Sequence, residues 1–448
     1  MSLDQFSSTH EERKLGLWMC TALVVGNMIG SGVFLLPAAL GSFGGISLLG
    51  WLFTAAGALF LALSFARLSR IIPRAGGPYA YTRHALGDFA GFIVAWGYWI
   101  SIWVGNAAIS VAMVGYMAVF WSPLAEIPIL AGCIALSAIW LLTWVNASGV
   151  RNAGVVQLVT TVMKLIPLIM MATLGLFFIN LENFTPFNLS GGSSISAVTA
   201  TATLTLWAFL GLESATIPSD SVEDPERTIP HATIMGTLFT AVVYILGTVA
   251  VMGIIPPDIL AESTAPYADA ASEMFGPWAA YAVALGATIS CFGALNGWIM
   301  LQGQVPLASA SDGLFPGIFG RLSSRGTPVL GIVISSILVT LLMAMNYTRG
   351  LVDLFTFVIL LATLTTLVPY VLSVISELVI FTRERERFKG ENLAGPKIIA
   401  VIALLYSLWA IAGLGWRILG LGFLLLLAGT PVFIWMKHQK HQLEPRNE

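Results

Sequence analysis

Gly26-Asn27-Met28-Ile29-Gly30-Ser31-Gly32-Val33-Phe34 lies inside an apolar run long enough to cross a membrane. Three glycines and a serine make poor helix, since each interior Gly costs about 1 kcal/mol against Ala. In lipid, freed backbone N–H and C=O groups must find partners. A spanning helix that breaks at mid-depth is tolerated only where the broken backbone is buried in protein or lines a cavity. This stretch is therefore read as a substrate site, with the rest of the chain as its walls and gates.

Working outward, twelve apolar runs have spanning length: 16–40, 45–68, 88–120, 127–148, 157–180, 196–218, 231–255, 277–308, 328–347, 351–381, 396–414 and 418–436. Residues 1–14 and 437–448 are polar tails. The 448 residues are 57% hydrophobic and 10% charged, against about 25% charged in soluble domains. The fold class is all-α and polytopic, and a soluble enzyme is excluded. Cys20, Cys133 and Cys291 fall in apolar runs and are read as small core residues, with no disulfide framework and no metal cluster. No cleavable leader is expected, nor any cofactor or nucleic-acid partner.

Eighteen of the 21 Lys and Arg fall in alternate loops and the tails. The positive-inside rule then puts both termini in the cytoplasm. The opposite loop 256–276 carries Asp258, Glu262, Asp269 and Glu273 and no cation, and is read as a solvated surface. Arg383-Glu384-Arg385-Glu386-Arg387 is read as a charged helix end at the membrane surface. Asn146, Asn183, Asn188 and Asn346 head chance-frequency sequons.

Span six carries a second interruption, Leu204-Thr205-Leu206-Trp207-Ala208-Phe209-Leu210-Gly211-Leu212-Glu213-Ser214. Glu213 follows the glycine at membrane depth, where an ionisable residue is a functional suspect. Spans one and six hold corresponding places in two five-span halves. Paired interrupted spans point to an inverted-repeat transporter with its site at the bilayer midplane. Half-helix N-termini suit a carboxylate, and unwound carbonyls suit an ammonium. The competing reading, glycines for close helix packing, explains one break less well than two matched ones.

Further blocks stand in order: Tyr98-Trp99, Gly105-Asn106, Glu223-Asp224-Pro225-Glu226-Arg227, Asn296-Gly297-Trp298, Ser311-Asp312-Gly313-Leu314-Phe315-Pro316 and Leu367-Val368-Pro369-Tyr370. On these the chain resembles the amino acid–polyamine–organocation transporters over all twelve spans. Within them it resembles the bacterial arginine/agmatine and putrescine/ornithine antiporters. The resemblance implies a LeuT-type 5+5 inverted repeat plus two, with broken helices one and six. It places a ten-helix core at 15–383 and helices eleven and twelve at 384–436. It implies alternating access in a bacterial inner membrane, with exchange of amino acids or their decarboxylated amines and arginine/agmatine as the leading pair. The resembling antiporters are homodimers, and residues 396–436 could serve that interface.

The resemblance also implies roles. Met28, Ser31 and Gly32 occupy the unwound stretch that receives the α-amino and carboxylate groups. Ser101, Ile102, Asn106, Leu210 and Ala362 join them around the substrate. Trp207 is the lid and Trp298 the middle gate. Tyr98, Glu213 and Tyr370 form the inner gate. A Trp face holds an ammonium or guanidinium by cation–π attraction, worth about 2 kcal/mol when desolvated. Trp96, Trp99, Trp103 and Trp416 are read as interfacial anchors.

Ile102, Ala362 and Asn296 depart from the arginine pattern at the side-chain end of the pocket. Lys164, in span five, departs further. Other branches of the superfamily resemble this chain in carrying a lysine there, where sodium-coupled relatives bind a metal ion. Lys164 then either passes a proton during transport, with Glu213 as a second proton carrier, or ties span five to carbonyls near Gly30. The bland reading is a lysine snorkelling to an interface. The alternatives to exchange are a proton-coupled or exchange permease for neutral or broad-range amino acids using Lys164, and a non-transporting membrane sensor of this fold.

Overall fold

A computed structural model describes the backbone of residues 15–346 and 351–443, and the side chains there apart from 150–158, 221, 346, 351–355 and 439–443. The expected tail 1–14, Arg349 and the last residues of the tail 437–448 lie outside the described residues. Among the described residues the regular structure is helical, with one isolated bridge between Leu15 and Val222.

Among the described residues, eleven helices are long and apolar enough to cross a membrane, and Val329–Met345 is a shorter twelfth. Their order matches the twelve expected runs, and the chain is a multi-pass membrane protein. Span seven starts at Pro225 rather than 231. Hydropathy sees only the apolar part of a helix. The start is fixed by a proline at the first helical position, whose missing N–H costs nothing there.

Spans one, two, six and seven pack together, and so do spans three, four, eight and nine. Span ten lies along span three, and span five lies against spans seven and eight. Span one is the most enclosed, with 94% of its apolar window buried. Spans eleven and twelve pack on the flank of spans two and ten and expose Leu405, Leu424 and Leu427.

Two sequence expectations are corrected here. Cys133 is exposed on the outside of span four, not in a core. Trp99 is buried and donates to Ser335 Oγ at 2.8 Å, so it joins spans three and nine instead of anchoring at an interface.

Candidate functional site

Span one consists of Leu17–Met28 and Ser31–Gly41, with only Ile29 and Gly30 outside helix. The interruption is narrower than the glycine pattern suggests. Met28 closes the first half and Ser31 opens the second, so neither Ser31 nor Gly32 is unwound. No side chain caps the second half. Its first N–H groups, from Ser31 onward, are the orphan donors of a helix start. Together with the helix dipole they favour an anion.

Span six breaks more completely. Ser194–Leu206 is α-helical, and Trp207–Phe209 tightens into a 3-10 turn. Gly211 then takes φ +105°, open to glycine but not to L side chains, and a Cβ there would sit 3.1 Å from the Trp298 ring. Beyond it come only the short turns Ser214–Thr216 and Ser219–Ser221 before Pro225. The second half expected of this span is therefore not an α-helix. Thr216 Oγ1 donates back to the Glu213 carbonyl at 2.7 Å and Ser219 Oγ to that of Thr216 at 2.6 Å. Such local bonds compete with the helical ladder.

The two breaks meet. Asn27 Nδ2 donates to Ser214 Oγ at 3.0 Å. Between them lies a small space, lined by Asn27, Met28, Gly30, Ser31, Gly32, Ile109, Trp207, Leu210 and Trp298. Trp207 closes one side. Its ring runs from Gly32, where a Cβ would come 3.2 Å from Cδ1, to Gly105, where one would come 2.9 Å from Cη2. Its Nε1 donates to Ser31 Oγ at 3.4 Å.

The last carbonyls of the first half-helix are taken by side chains from three other spans. Lys164 Nζ donates to the carbonyls of Gly26 (2.5 Å) and Ile29 (2.6 Å). Trp298 Nε1 donates to that of Asn27 at 3.2 Å, and the Tyr244 hydroxyl to that of Met28 at 2.5 Å. Lys164 is wholly buried, which removes the snorkelling reading. The carbonyls expected to greet an ammonium are thus already partnered. That of Met28 also accepts the Gly30 N–H at 2.9 Å, while those of Gly26, Asn27 and Ile29 keep a second lone pair.

Below the break, the hydroxyls of Tyr98 and Tyr370 donate to opposite carboxylate oxygens of Glu213. Spans three, six and ten are pinned at one point, and all three side chains are buried.

Of the ten residues expected around a substrate, Met28, Ser31, Gly32, Trp207, Leu210 and Trp298 line the space. Ser101, Ile102, Asn106 and Ala362 are buried but do not line it. Ser101 Oγ donates to the Tyr98 carbonyl in its own helix. Asn106 Nδ2 donates to Gln302 Oε1 at 2.8 Å. Asn296 takes a bond from Asn146 of span four at 3.0 Å.

At the Arg-rich end, the helix Pro78–Leu86 is clasped by the segments that follow spans eight and ten. Asp312 receives Arg83 at 2.6 Å and the Tyr79 hydroxyl at 2.8 Å. His84 lies 2.6 Å from Glu384, and Arg383 donates to the Ala85 carbonyl at 3.0 Å. The charged run after span ten is therefore a clamp on this helix as well as a surface end. Arg67 reaches Glu377 of span ten at 2.5 Å, with Glu377 fully buried.

Sequence reasoning missed Asn27, Ile109, Tyr244, Gln302 and the Arg67–Glu377 pair. Only Glu377 carried a usable signal, an acidic residue inside the run 351–381.

The amino acid permease family model matches residues 15–438. A cadaverine/lysine antiporter of Escherichia coli (strain K12) is 35% identical over 409 residues, 90% of each chain. A putrescine transporter PotE of Haemophilus influenzae is 32% identical over 438 residues, 96% of this chain and 98% of the relative. Its Escherichia coli (strain K12) counterpart is 31% identical over 430 residues, 95% of this chain and 97% of the relative.

Proposed function

Since the chain belongs to the amino acid permease family, we propose that it is an alternating-access antiporter exchanging a cationic amino acid for a diamine. Lysine and cadaverine are the first pair to test, because a cadaverine/lysine antiporter is among its relatives. The arginine/agmatine pair that the motifs suggest takes second place. The Arg-rich end faces the cytoplasm.

The observation that supports this reading is the space between the broken spans. On one side stands the uncapped start Ser31–Gly32, which suits a carboxylate. Two indole rings, Trp207 against that start and Trp298 against Asn27 of the first half-helix, suit an aliphatic stem ending in a cation. A diamine keeps the stem and the cation but lacks the carboxylate. The two substrates then share the ring contacts and differ at the helix start, so one site can hold either in turn. Met28, Ser31, Gly32, Trp207, Leu210 and Trp298 bind directly. Ile102 and Ala362 shape the pocket from behind. Trp207 and the Tyr98–Glu213–Tyr370 cluster gate its two sides. Lys164 organises the break through its bonds to Gly26 and Ile29.

Proteoliposomes test this. Uptake of labelled lysine should require cadaverine or lysine inside the vesicles. Uptake into empty vesicles driven by a pH gradient would replace exchange with proton-coupled uptake. Binding without any counterflow would leave a sensor. Strict dependence on arginine and agmatine would restore that pair.

A further inference from the structure

The second half of span one, Ser31–Gly41, contains Pro37. A proline has no N–H to give the carbonyl four residues back, and its ring crowds that carbonyl. The Val33 carbonyl therefore loses its ladder bond. The first turn of this half-helix, which begins at the uncapped Ser31 and Gly32, is tied less firmly to the turns that follow. Its direction has to be fixed from outside the helix.

Tyr116 of span three reaches that turn. Its hydroxyl donates to the Phe34 carbonyl at 2.7 Å. The same oxygen accepts the Tyr267 N–H at 3.4 Å. Tyr267 is the second residue of the helix Pro266–Phe275, so its N–H is one of the donors that a helix start leaves without an internal partner. A carbonyl only accepts and an N–H only donates. The direction of the Tyr116 hydroxyl is thus set from both ends.

The rings add a second hold on the same turn. Phe34 stands edge-on between Tyr116 and Tyr267, with ring centroids 5.5 and 5.4 Å away. All three side chains are 0% exposed. The backbone around them is close: a Cβ on Gly115 would come 3.2 Å from the Thr264 carbonyl, and one on Gly41 would come 2.9 Å from the Ala261 nitrogen. The loop 256–276, expected as a solvated surface, is therefore seated on both span three and the second half of span one.

We infer that Tyr116 is a positioning residue for amino-acid substrates: through the Phe34 carbonyl it sets where the N–H groups of Ser31 and Gly32 point. Those groups matter only to a substrate that carries a carboxylate. A diamine has none, so cadaverine keeps its ring contacts and is indifferent to the direction of the helix start. The inference rests on the reading of Ser31–Gly32 as the place of the carboxylate.

The measurement is counterflow of labelled lysine and of labelled cadaverine in proteoliposomes with the same internal load. Tyr116→Phe keeps the ring and removes the hydroxyl. KM for lysine should rise about fivefold with the maximal rate nearly unchanged, while KM for cadaverine should stay at its wild-type value. Tyr267→Phe keeps the ring and the N–H that Tyr116 uses, and should match the wild type for both substrates. Phe34→Leu withdraws the ring held between the two tyrosines and should show the same split as Tyr116→Phe; it also decides the matter if Tyr116→Phe does not fold. An unchanged lysine KM in folded Tyr116→Phe, an equal rise for both substrates, a split in Tyr267→Phe, or no split in folded Phe34→Leu would each overturn the inference. A wild type that exchanges neither substrate would instead overturn the exchange reading, which separates the two failures.

Discussion

Lys164 Nζ lies 2.6 Å from the carbonyl oxygen of Ile29, the first residue of span one outside its helix. A second bond, to Gly26, brackets the last turn. Lys164 Nζ therefore does for this half-helix what a cap does in water, and does it from span five. A buried polar group needs such partners, since removing one side leaves the other unsatisfied. Lys164→Met should leave two buried carbonyls short of a donor, at about 1–3 kcal/mol each. Counterflow should be lost and the melting temperature in detergent should fall. Wild-type exchange in this variant would reduce Lys164 to packing.

Tyr244 closes the same set of carbonyls from span seven. Tyr244→Phe removes one hydroxyl and changes no other atom. The freed Met28 carbonyl keeps its turn bond from the Gly30 N–H. The expected result is a milder loss than in Lys164→Met: slower counterflow in a protein that still folds and still inserts. Equal losses in the two variants would mean that the carbonyls act as one unit, which a double-variant cycle would reveal as non-additivity.

Gly211→Ala tests the second break through backbone alone. A Cβ at φ +105° is strained, and it would also press on the Trp298 ring at 3.1 Å. The left-handed region costs roughly 1–2 kcal/mol for a non-glycine residue. Folding should survive at reduced stability, while lysine binding should weaken because Trp298 is displaced. Unchanged binding affinity would separate Trp298 from the site.

Tyr98→Phe and Tyr370→Phe each remove one donor from Glu213. A hydrogen bond to a charged group is worth about 1.5–3 kcal/mol. Because both phenols grip one carboxylate, the pair should be non-additive. Exchange rates measured for both single variants and the double variant decide it. Strict additivity would mean that the two phenols act independently.

The clamp at the Arg-rich end has a pH signature. The hydrogen bond from His84, and then that from Arg387, holds Glu384 below the ordinary carboxylate value of 4.5. A depressed carboxylate stabilises the fold above its unfolded value, and that contribution is lost as pH falls through the lowered one. Glu384→Gln should therefore melt lower than wild type at neutral pH. The two should converge as the pH drops below 4.5. A gap that persists in acid would mean that the contact acts by shape and not by charge.

Both breaks were legible in the sequence because glycine inside an apolar run contradicts its surroundings. So were Trp207 and Glu213, which flank Gly211, and Trp298, which follows Gly297 in span eight. What pairs with them was not legible. Tyr244 and Gln302 are single polar residues in spans that reveal no direction, and their partners are 216 and 196 positions away. Asn296 shows the same limit, since this residue, two before Trp298, bonds to Asn146 of span four and does not line the pocket. The missing second half of span six escaped because hydropathy measures apolar character and is blind to hydroxyls that bond to their own backbone.

The claim at the centre of this account is that the start Ser31–Gly32 and the rings of Trp207 and Trp298 together hold the substrate. An experimental structure with lysine bound measures it directly. The account predicts the carboxylate on the N–H groups of Ser31 and Gly32, with the stem against Trp298. Lysine density elsewhere at saturating ligand, with this space empty, would contradict it.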